Sequence, residues 1–431
     1  MHGVDFPEAV IELVKEGTLP ISRVNEACSK ILMAKLKLGL FENRFVDIEK
    51  IQENIFTPEH KFTALETARK GIVLLKNSSL LPLNKVKNSK KILVTGPNAN
   101  NQSILGDWHA AQPDENVTTI YEGIKDLGES KGYDVSFFDS GDNIRKISNI
   151  NIQNTVDASK DADYIIVVVG DNSMRYKWKD KTAGENMARA ELNLAGKQLE
   201  LVRSLKEIND NVIVVYVNGK PISEPWIQNN IPSIIEAWEP GNLGGKAVAE
   251  IIFGDINPSG KLPLTVPRSV GQLQMIYNHK PSQYFHKYAF EKNKPLYEFG
   301  YGLSYTKFKY SKPKLLNTSF EDNSIIKVEV AVTNIGEMDG DEIVQLYIRD
   351  NVSSATRPVK ELKGYKRIHL KVDETKNVVF EITPESLAFY DIDMNYVVEP
   401  GTFKIMTGSS SHFKSLKNVE LTIENKINLH N

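Results

Sequence analysis

Tyr164-Ile165-Ile166-Val167-Val168-Val169, running into Gly170 and Asp171, decides how this chain of 431 residues is read. A continuous Val/Ile run suits a strand covered on both faces, because a half-solvated strand alternates apolar with polar positions. Working outward, the same texture recurs at Ile72-Val73-Leu74-Leu75, Lys91 to Thr95, Asp134 to Phe138, Val212 to Val217 and Ser233 to Ala237. Helix-spaced segments lie between them, at Pro58 to Lys70, Thr119 to Leu127, Ala195 to Glu207 and Gly244 to Phe253. Strands alternating with helices predict βαβ units, hence an α/β sandwich whose sheet is mostly parallel with flanking helices. Ligands of such sheets sit beyond the C-terminal ends of the strands. The loops after Val94, Val169, Val217 and Ala237 are therefore the places to search for a site.

The flanks read differently. Pro7 to Lys15 carries Val10, Ile11 and Val14 at helical spacing and stops at Gly17. Ser22 is expected to cap a second helix with Val24, Ala27, Ile31, Leu32 and Leu36 along one stripe, closing at Gly39-Leu40-Phe41. These helices have no sheet of their own, and the polar stretch Glu42 to Thr57 reads as a linker. After Tyr305 helices vanish. Ile325 to Thr333 alternates apolar and polar residues, Gly336 to Gly340 marks a turn, and short strands follow at Glu342 to Ile348, Arg367 to Lys371, Val378 to Ile382 and Phe403 to Thr407. That spacing predicts an all-β antiparallel sandwich. The domains read as 1–57, 58–304 and 305–431.

Composition excludes several classes. Hydrophobic residues at 41% and charged residues at 25% give an ordinary globular balance. Lys plus Arg (53) against Asp plus Glu (55) leaves a formal charge of -2, with no broad footprint for nucleic acid or an anionic membrane. The cluster Lys85 to Lys91 reads as a solvated loop. The lone cysteine, Cys28, excludes an intrachain disulfide or a multi-cysteine metal site. No apolar run approaches the roughly 18 residues of a membrane span. Met1 to Phe6 has neither the basic nor the apolar region of a secretory signal. The eight histidines are scattered, so no metal is expected, and no cofactor motif stands up. Gly241-Asn242-Leu243-Gly244-Gly245-Lys246-Ala247 departs from a phosphate loop in glycine spacing and in Ala247, while Gly96 to Asn100 lacks G-x-G-x-x-G. The Gly-x-Ser-x-Gly elbow is absent too.

The loop after Val169 is unusual. It holds Asp171, Arg175, Tyr176, Lys177, Trp178, Lys179, Asp180 and Lys181, and ends at Gly184-Glu185. Tyr176 and Trp178 have faces on which a sugar ring can stack, and Glu185 is a candidate proton donor. From spacing alone the same residues more readily describe a mobile polar loop with a helix-capping glutamate, since most loop glutamates are solvated.

Longer segments resemble glycoside hydrolase family 3, the β-glucosidase and β-xylosidase group, over essentially the whole chain. Ala68-Arg69-Lys70-Gly71-Ile72-Val73-Leu74-Leu75-Lys76-Asn77 through Leu80-Leu81-Pro82-Leu83 is similar to the opening of its α/β sandwich domain. Gly184-Glu185-Asn186-Met187-Ala188-Arg189-Ala190-Glu191-Leu192-Asn193-Leu194 is similar to its acid/base segment. Phe253-Gly254-Asp255-Ile256-Asn257-Pro258-Ser259-Gly260-Lys261-Leu262-Pro263 and Tyr297-Glu298-Phe299-Gly300-Tyr301-Gly302-Leu303-Ser304-Tyr305-Thr306 are long and specific matches. Residues after Tyr305 resemble its fibronectin-type-III-like domain.

The resemblance implies a retaining exo-acting β-glycosidase that removes terminal β-D-glucosyl residues from a gluco-oligosaccharide or an aryl or alkyl β-glucoside. It implies Glu185 as general acid/base, with Arg189 the basic residue that follows. The segment departs from the family pattern in Ala195-Gly196, where Pro-Gly is usual, and in Ala188, where Asp or Ser is common. Asp171, Tyr176, Trp178 and Arg189 are carried as candidate substrate-binding residues. Trp108, in Gly106-Asp107-Trp108, is either a wall beside the leaving group or a core tryptophan. Cations beside a general acid favour its ionised form, so Arg175, Lys177, Lys179 and Lys181 are expected to point into solvent or towards Asp171 and Asp180.

The family's nucleophile is an aspartate in a Ser-Asp-Trp type motif on a (β/α)8 barrel, and no such motif occurs here. Gly3-Val4-Asp5-Phe6-Pro7 resembles a segment downstream of that aspartate, so Asp5 is not the nucleophile, and the first two helices resemble the barrel's last part. The chain is thus expected to need a barrel in cis or in trans and to have little activity alone. The alternative is a non-catalytic carbohydrate-binding remnant, or one subunit of a split enzyme. The resemblance favours the periplasm or the exterior and leaves a homodimer open.

Overall fold

The computed structural model describes residues 5–83, 90–273, 275–281, 287–320 and 325–429. The Lys85 cluster, apart from Lys90 and Lys91, and residues 1–4 of the opening segment lie outside them. The chain divides after Lys61 into two units. In the first, α1 (Phe6–Lys15) starts with Pro7 in its first turn, and α2 (Ile21–Lys37) follows. The N-cap of α2 is Pro20, with no side-chain cap bond, so Ser22 lies inside the first turn and does not cap it. The ring of Pro20 fixes φ and holds the chain extended, ready to turn into the helix directly after it. The polar stretch read as a linker forms a turn of 3-10 helix capped by Asp47, then α3 (Ile51–Asn54).

The division falls within α4 (Pro58–Gly71), which leads into the six-stranded sheet of the second unit. Its strands are β1 (Val73–Asn77), β2 (Lys91–Thr95), β3 (Asp134–Phe137), β4 (Tyr164–Gly170), β5 (Val212–Val217) and β6 (Ser233–Glu236). The helices are α5 (Ile120–Ser130), α6 (Asn149–Ala158), α7 (Gln198–Ile208), α8 (Pro225–Asn230) and α9 (Gly244–Ile252). The spatial order is β1-β6-β5-β4-β2-β3, parallel throughout except that β1 runs antiparallel to β6.

The run at Tyr164 is central and covered on both faces. Ile166 and Val168 pack with Ile120, Ile124, Val248 and Ile251 of α5 and α9. Ile165, Val167 and Val169 pack with Ile152, Leu201 and Leu205 of α6 and α7. Period-two alternation inside an all-apolar run feeds two separate cores, which is why no polar position interrupts it. A capping box starts α5, with Thr119 and Glu122 each bonding the other's backbone N–H. The helix α6 escapes the sequence reading, because Asn149 to Ala158 is asparagine-rich with only a weak apolar stripe.

The chain leaves β2 for β3 on one side, then crosses back to place β4 on the other. The point of reversal lies between β2 and β4. In open α/β sheets the crevice outside the strand ends at such a point is where ligands bind.

Beyond the α/β part come β7 (Phe308–Tyr310), β8 (Lys314–Leu315), β9 (Ile326–Asn334), β10 (Gly340–Asp350), β11 (Glu361–Leu370), β12 (Thr375–Ile382), β13 (Phe389–Tyr390), β14 (Tyr396–Val398), β15 (Gly401–Gly408), β16 (Leu416–Ile423) and β17 (Ile427–Asn428). The sheets β11-β10-β15-β16 and β12-β9-β7 close over a core that includes Val328, Val330, Leu346, Phe380, Phe403 and Ile405. The long motifs noted in the sequence build the seam between this sandwich and the α/β part. Asn257 accepts hydrogen bonds from Ser304 Oγ at 2.7 Å and Tyr305 N at 2.8 Å, and donates to the Asp339 carbonyl at 3.0 Å. Lys261 pairs with buried Glu342 at 3.3 Å, which also accepts from the Tyr310 hydroxyl at 2.7 Å.

Candidate active site

All four loops singled out from the strand ends converge. The loop after β2 brings Asp107 and Trp108, the loop after β4 brings Asp171 to Arg189, and the loops after β5 and β6 bring Lys220 and Glu239. Glu185 follows Gly184 on the β4 loop, with a side chain 44% exposed. Its backbone is held at both ends. The Glu185 N–H donates to Asp107 Oδ2 at 2.6 Å, and its carbonyl accepts from Lys181 Nζ at 3.3 Å.

The expectation for the loop cations fails for three of the four. Arg175, partly exposed, turns to the carboxylates: it donates to Glu185 Oε2 at 2.5 Å and to Asp107 Oδ1 at 3.2 Å, and its guanidinium lies 3.7 Å from the centre of the Trp108 ring. Lys181 is fully buried, pairs with Asp107 Oδ2 at 3.1 Å and lies over the Trp178 ring at 4.7 Å. Lys177 pairs with Asp142 at 2.9 Å, while Lys179 is exposed. The acid that organises Arg175 and Lys181, Asp107, is some seventy residues upstream, so a local reading of the loop cannot find it. Asp180 is occupied by the Asn143 amide at 2.8 Å.

Trp108 is 72% exposed and is not a core residue; Tyr176 and Trp178 are 44% and 45% exposed. The Tyr176 ring meets His109 edge-on at 5.5 Å, and burial lowers the pKa of that histidine. Asp171 and Arg189 are placed differently from open substrate ligands. Asp171 is buried, and it accepts from Thr182 Oγ1 at 2.8 Å, from Arg189 at 2.8 Å and from Lys220. Arg189 also donates to the Asn193 carbonyl. These two residues fix the chain on the far side of Glu185 by saturating one another.

Beneath the loops lie carboxyl groups the sequence did not single out. Glu236, at the end of β6, is buried, accepts from Trp238 N at 3.0 Å, and burial pushes its carboxyl up to about 8. Glu239 accepts from Ser173 Oγ at 2.5 Å, and burial raises it too. In contrast, burial of Asp107 is outweighed by the N–H groups of Glu185 and Trp108 and by the Lys181 ammonium, which hold it down to about 2. Among the described residues, no group of three or more His, Cys, Asp or Glu side chains could hold a metal ion, and no helix is long and apolar enough to cross a membrane. The arrangement can move a proton at Glu185 and offer aromatic faces beside it.

Comparison with known proteins matches residues 72–305 to a family described as "Glycosyl hydrolase family 3 C-terminal domain" and residues 342–411 to "Fibronectin type III-like domain". A β-xylosidase of Formosa agariphila is 41% identical over 419 residues, covering 93% of this chain and 55% of that protein. A periplasmic β-glucosidase of Salmonella typhimurium is 34% identical over 434 residues, again covering 93% of this chain and 55% of that protein. Among solved structures, a mutant β-glucosidase of Listeria innocua in complex with laminaribiose superposes with a TM-score of 0.84 at 29% identity, over 96% of this chain and 56% of that one. A β-glucosidase involved in saponin metabolism from intestinal bacteria gives 0.88 at 33% identity, over 98% and 62%. The chain spans about half the length of the curated relatives it matches.

Proposed function

The chain belongs to glycosyl hydrolase family 3, and from that premise we propose that it carries the general acid/base, Glu185, of a retaining exo-β-glycosidase. In a double displacement one carboxylate attacks the anomeric carbon while an acid protonates the departing glycosidic oxygen; the same group then deprotonates the water that releases the sugar. Glu185 serves as that acid and base. The attacking carboxylate comes from a barrel domain outside this sequence, joined in cis or supplied in trans, and the helices α1 and α2 belong with it. The observation that carries this reading is the setting of Glu185: half-exposed at the reversal point of the sheet, its backbone pinned at both ends, with Arg175 linking it to the face of Trp108.

Trp108, Tyr176 and Trp178 then line the leaving-group side, whereas Asp171 and Arg189 act by holding the loop. We place the domain limits at 57/58 and 304/305. Terminal β-D-glucosyl groups are the proposed substrate, the periplasm or exterior the proposed location. The relatives named β-glucosidase and periplasmic β-glucosidase support both.

One feature favours a second reading. The Arg175–Glu185 ion pair is also what a purely structural glutamate would show, in a chain that binds carbohydrate without cleaving it. Full-length enzyme, barrel included, assayed on aryl β-glucosides and β-xylosides separates the two. Glu185→Gln is expected to lose most turnover of the preferred glycoside. Full activity in that variant removes Glu185 as the acid, and turnover by the isolated chain that depends on Glu185 contradicts the need for a barrel.

A further inference from the structure

We propose that Asp107 is the positioning residue of the acid/base: one of its oxygens fixes the Glu185 backbone, and the other gives Arg175 a second anion to hold whenever Glu185 carries a proton. This rests on Glu185 being the acid/base.

The geometry is that of a bracket. Asp107 Oδ2 accepts from Glu185 N at 2.6 Å and from Lys181 Nζ at 3.1 Å, and Lys181 closes the ring by donating to the Glu185 carbonyl at 3.3 Å. Both backbone polar groups of Glu185 are thus held by one ion pair whose members have side chains 12% and 0% exposed. An ion pair removed from water is neither screened nor averaged over rotamers as a surface pair is. The pair also ties the β4 loop to the β2 loop that carries Trp108, so the acid and the aromatic face beside it are held in one register.

Gly184 is shaped for this contact. Its φ is +93°, and a Cβ there would stand 2.5 Å from Asp107 Oδ2 and 3.1 Å from Lys181 Nζ. Any larger residue ahead of Glu185 would push the carboxylate away from the N–H it accepts.

Asp107 Oδ1 does the second task. It accepts from Trp108 N at 2.8 Å and from Arg175 Nε at 3.2 Å, while the outer nitrogen of the same guanidinium bonds Glu185 Oε2. An arginine paired to Glu185 alone would oppose the protonated glutamate that the first chemical step requires. Here the guanidinium keeps Asp107 and its seat on the Trp108 ring when Glu185 takes up a proton, so the cation is not left unpaired at either stage. The carboxyl of Asp107 stays ionised throughout, held far below the usual range by the donors around it.

The test uses full-length enzyme and two leaving groups. An alkyl β-glycoside needs a proton to depart, whereas a dinitrophenyl β-glycoside does not. Read as kcat/KM, which reports formation of the glycosyl-enzyme and not its base-dependent breakdown, Asp107→Asn is expected to lose about 100-fold on the alkyl substrate and no more than about threefold on the dinitrophenyl one, the size of loss that a misplaced catalytic group produces. Gly184→Ala, which displaces the same carboxylate, is expected to show the same split and stands in if Asp107→Asn does not fold. In the chain studied by hydrogen exchange, the Glu185 amide is expected to lose protection in Asp107→Asn. Equal losses on both substrates, or an unchanged Glu185 amide, overturn the proposal. Glu185→Ala run on the same pair, again read as kcat/KM, separates the two layers. If it shows no split, the acid/base reading itself fails; if it does and Asp107→Asn does not, only the role of Asp107 fails.

Discussion

Replacing Glu236 by Gln should make the α/β part more stable, and increasingly so as pH rises. Glu236 is buried at the end of β6 with its carboxyl pushed from 4.5 to about 8, chiefly by burial, with Asp171 adding to it and the Trp238 N–H, the Asn218 amide and Lys220 opposing. In the unfolded chain the same group ionises near its ordinary value. Between those two values the folded protein holds a proton that the unfolded chain has released, so stability falls as pH rises through the window. Each unit of difference corresponds to about 1.4 kcal/mol, so Glu236 costs about 4 kcal/mol between pH 5 and pH 8. Glutamine keeps the shape and an oxygen for the Trp238 N–H but never charges. Glu224 and Glu239, also raised by burial, remain in both proteins and cancel in the difference. All four tryptophans lie between Trp108 and Trp238, so tryptophan fluorescence in urea follows the α/β part alone. The stability advantage of Glu236→Gln should be near zero at pH 5 and grow to a few kcal/mol by pH 8. Parallel stability curves for the two proteins would mean that Glu236 is not held protonated by its burial.

Asp107 should show the opposite dependence. Its folded value of about 2, against 3.8 ordinarily, contributes about 2 kcal/mol above pH 4 that disappears as pH falls through 2, so the deficit of Asp107→Asn in urea should shrink from pH 5 to pH 2. Arg69→Met should cost about 3–5 kcal/mol in the urea midpoint, since it strips a nearly buried Glu250 carboxylate of bonds at 2.6 and 2.5 Å; a loss below about 1 kcal/mol would show that α4 is docked by its apolar face alone. Gly123→Ala replaces a helix residue with a better helix former, yet its Cβ would stand 2.2 Å from the Gly245 carbonyl oxygen where α5 crosses α9. A thermal melt should show net loss of about 2 kcal/mol or more; a gain would mean the two helices can part without cost.

The sheet was legible because its strands answer to one local rule. Val212 to Val217 and Lys91 to Thr95 form as read, the ends of Asp134 to Phe138, Tyr164 to Val169 and Ser233 to Ala237 shift by a residue, and the strand read at Ile72 to Leu75 runs from Val73 to Asn77. What escaped was decided by contacts between distant residues. Nothing in Val73 to Asn77 announces that it pairs antiparallel with β6, and α6 is marked less by its own pattern than by Ile152, which joins Leu201 and Leu205 of α7 in one core. The loop basics were misjudged for the same reason: their partners, Asp107 and Asp142, come from other loops. Glu185 itself was singled out from a motif, whereas the residues that hold its backbone are visible only once β2 and β4 stand side by side.

The most direct test of the central claim is azide rescue of Glu185→Ala in the full-length enzyme. Without its base the variant should still form the glycosyl-enzyme from a dinitrophenyl β-glycoside and then stall, because water is no longer activated. Azide needs no base, so the account predicts that adding it restores turnover and yields the β-glycosyl azide, the configuration retained. A variant that hydrolyses alkyl β-glycosides at the wild-type rate, or one whose turnover azide leaves unchanged, would contradict the assignment of Glu185.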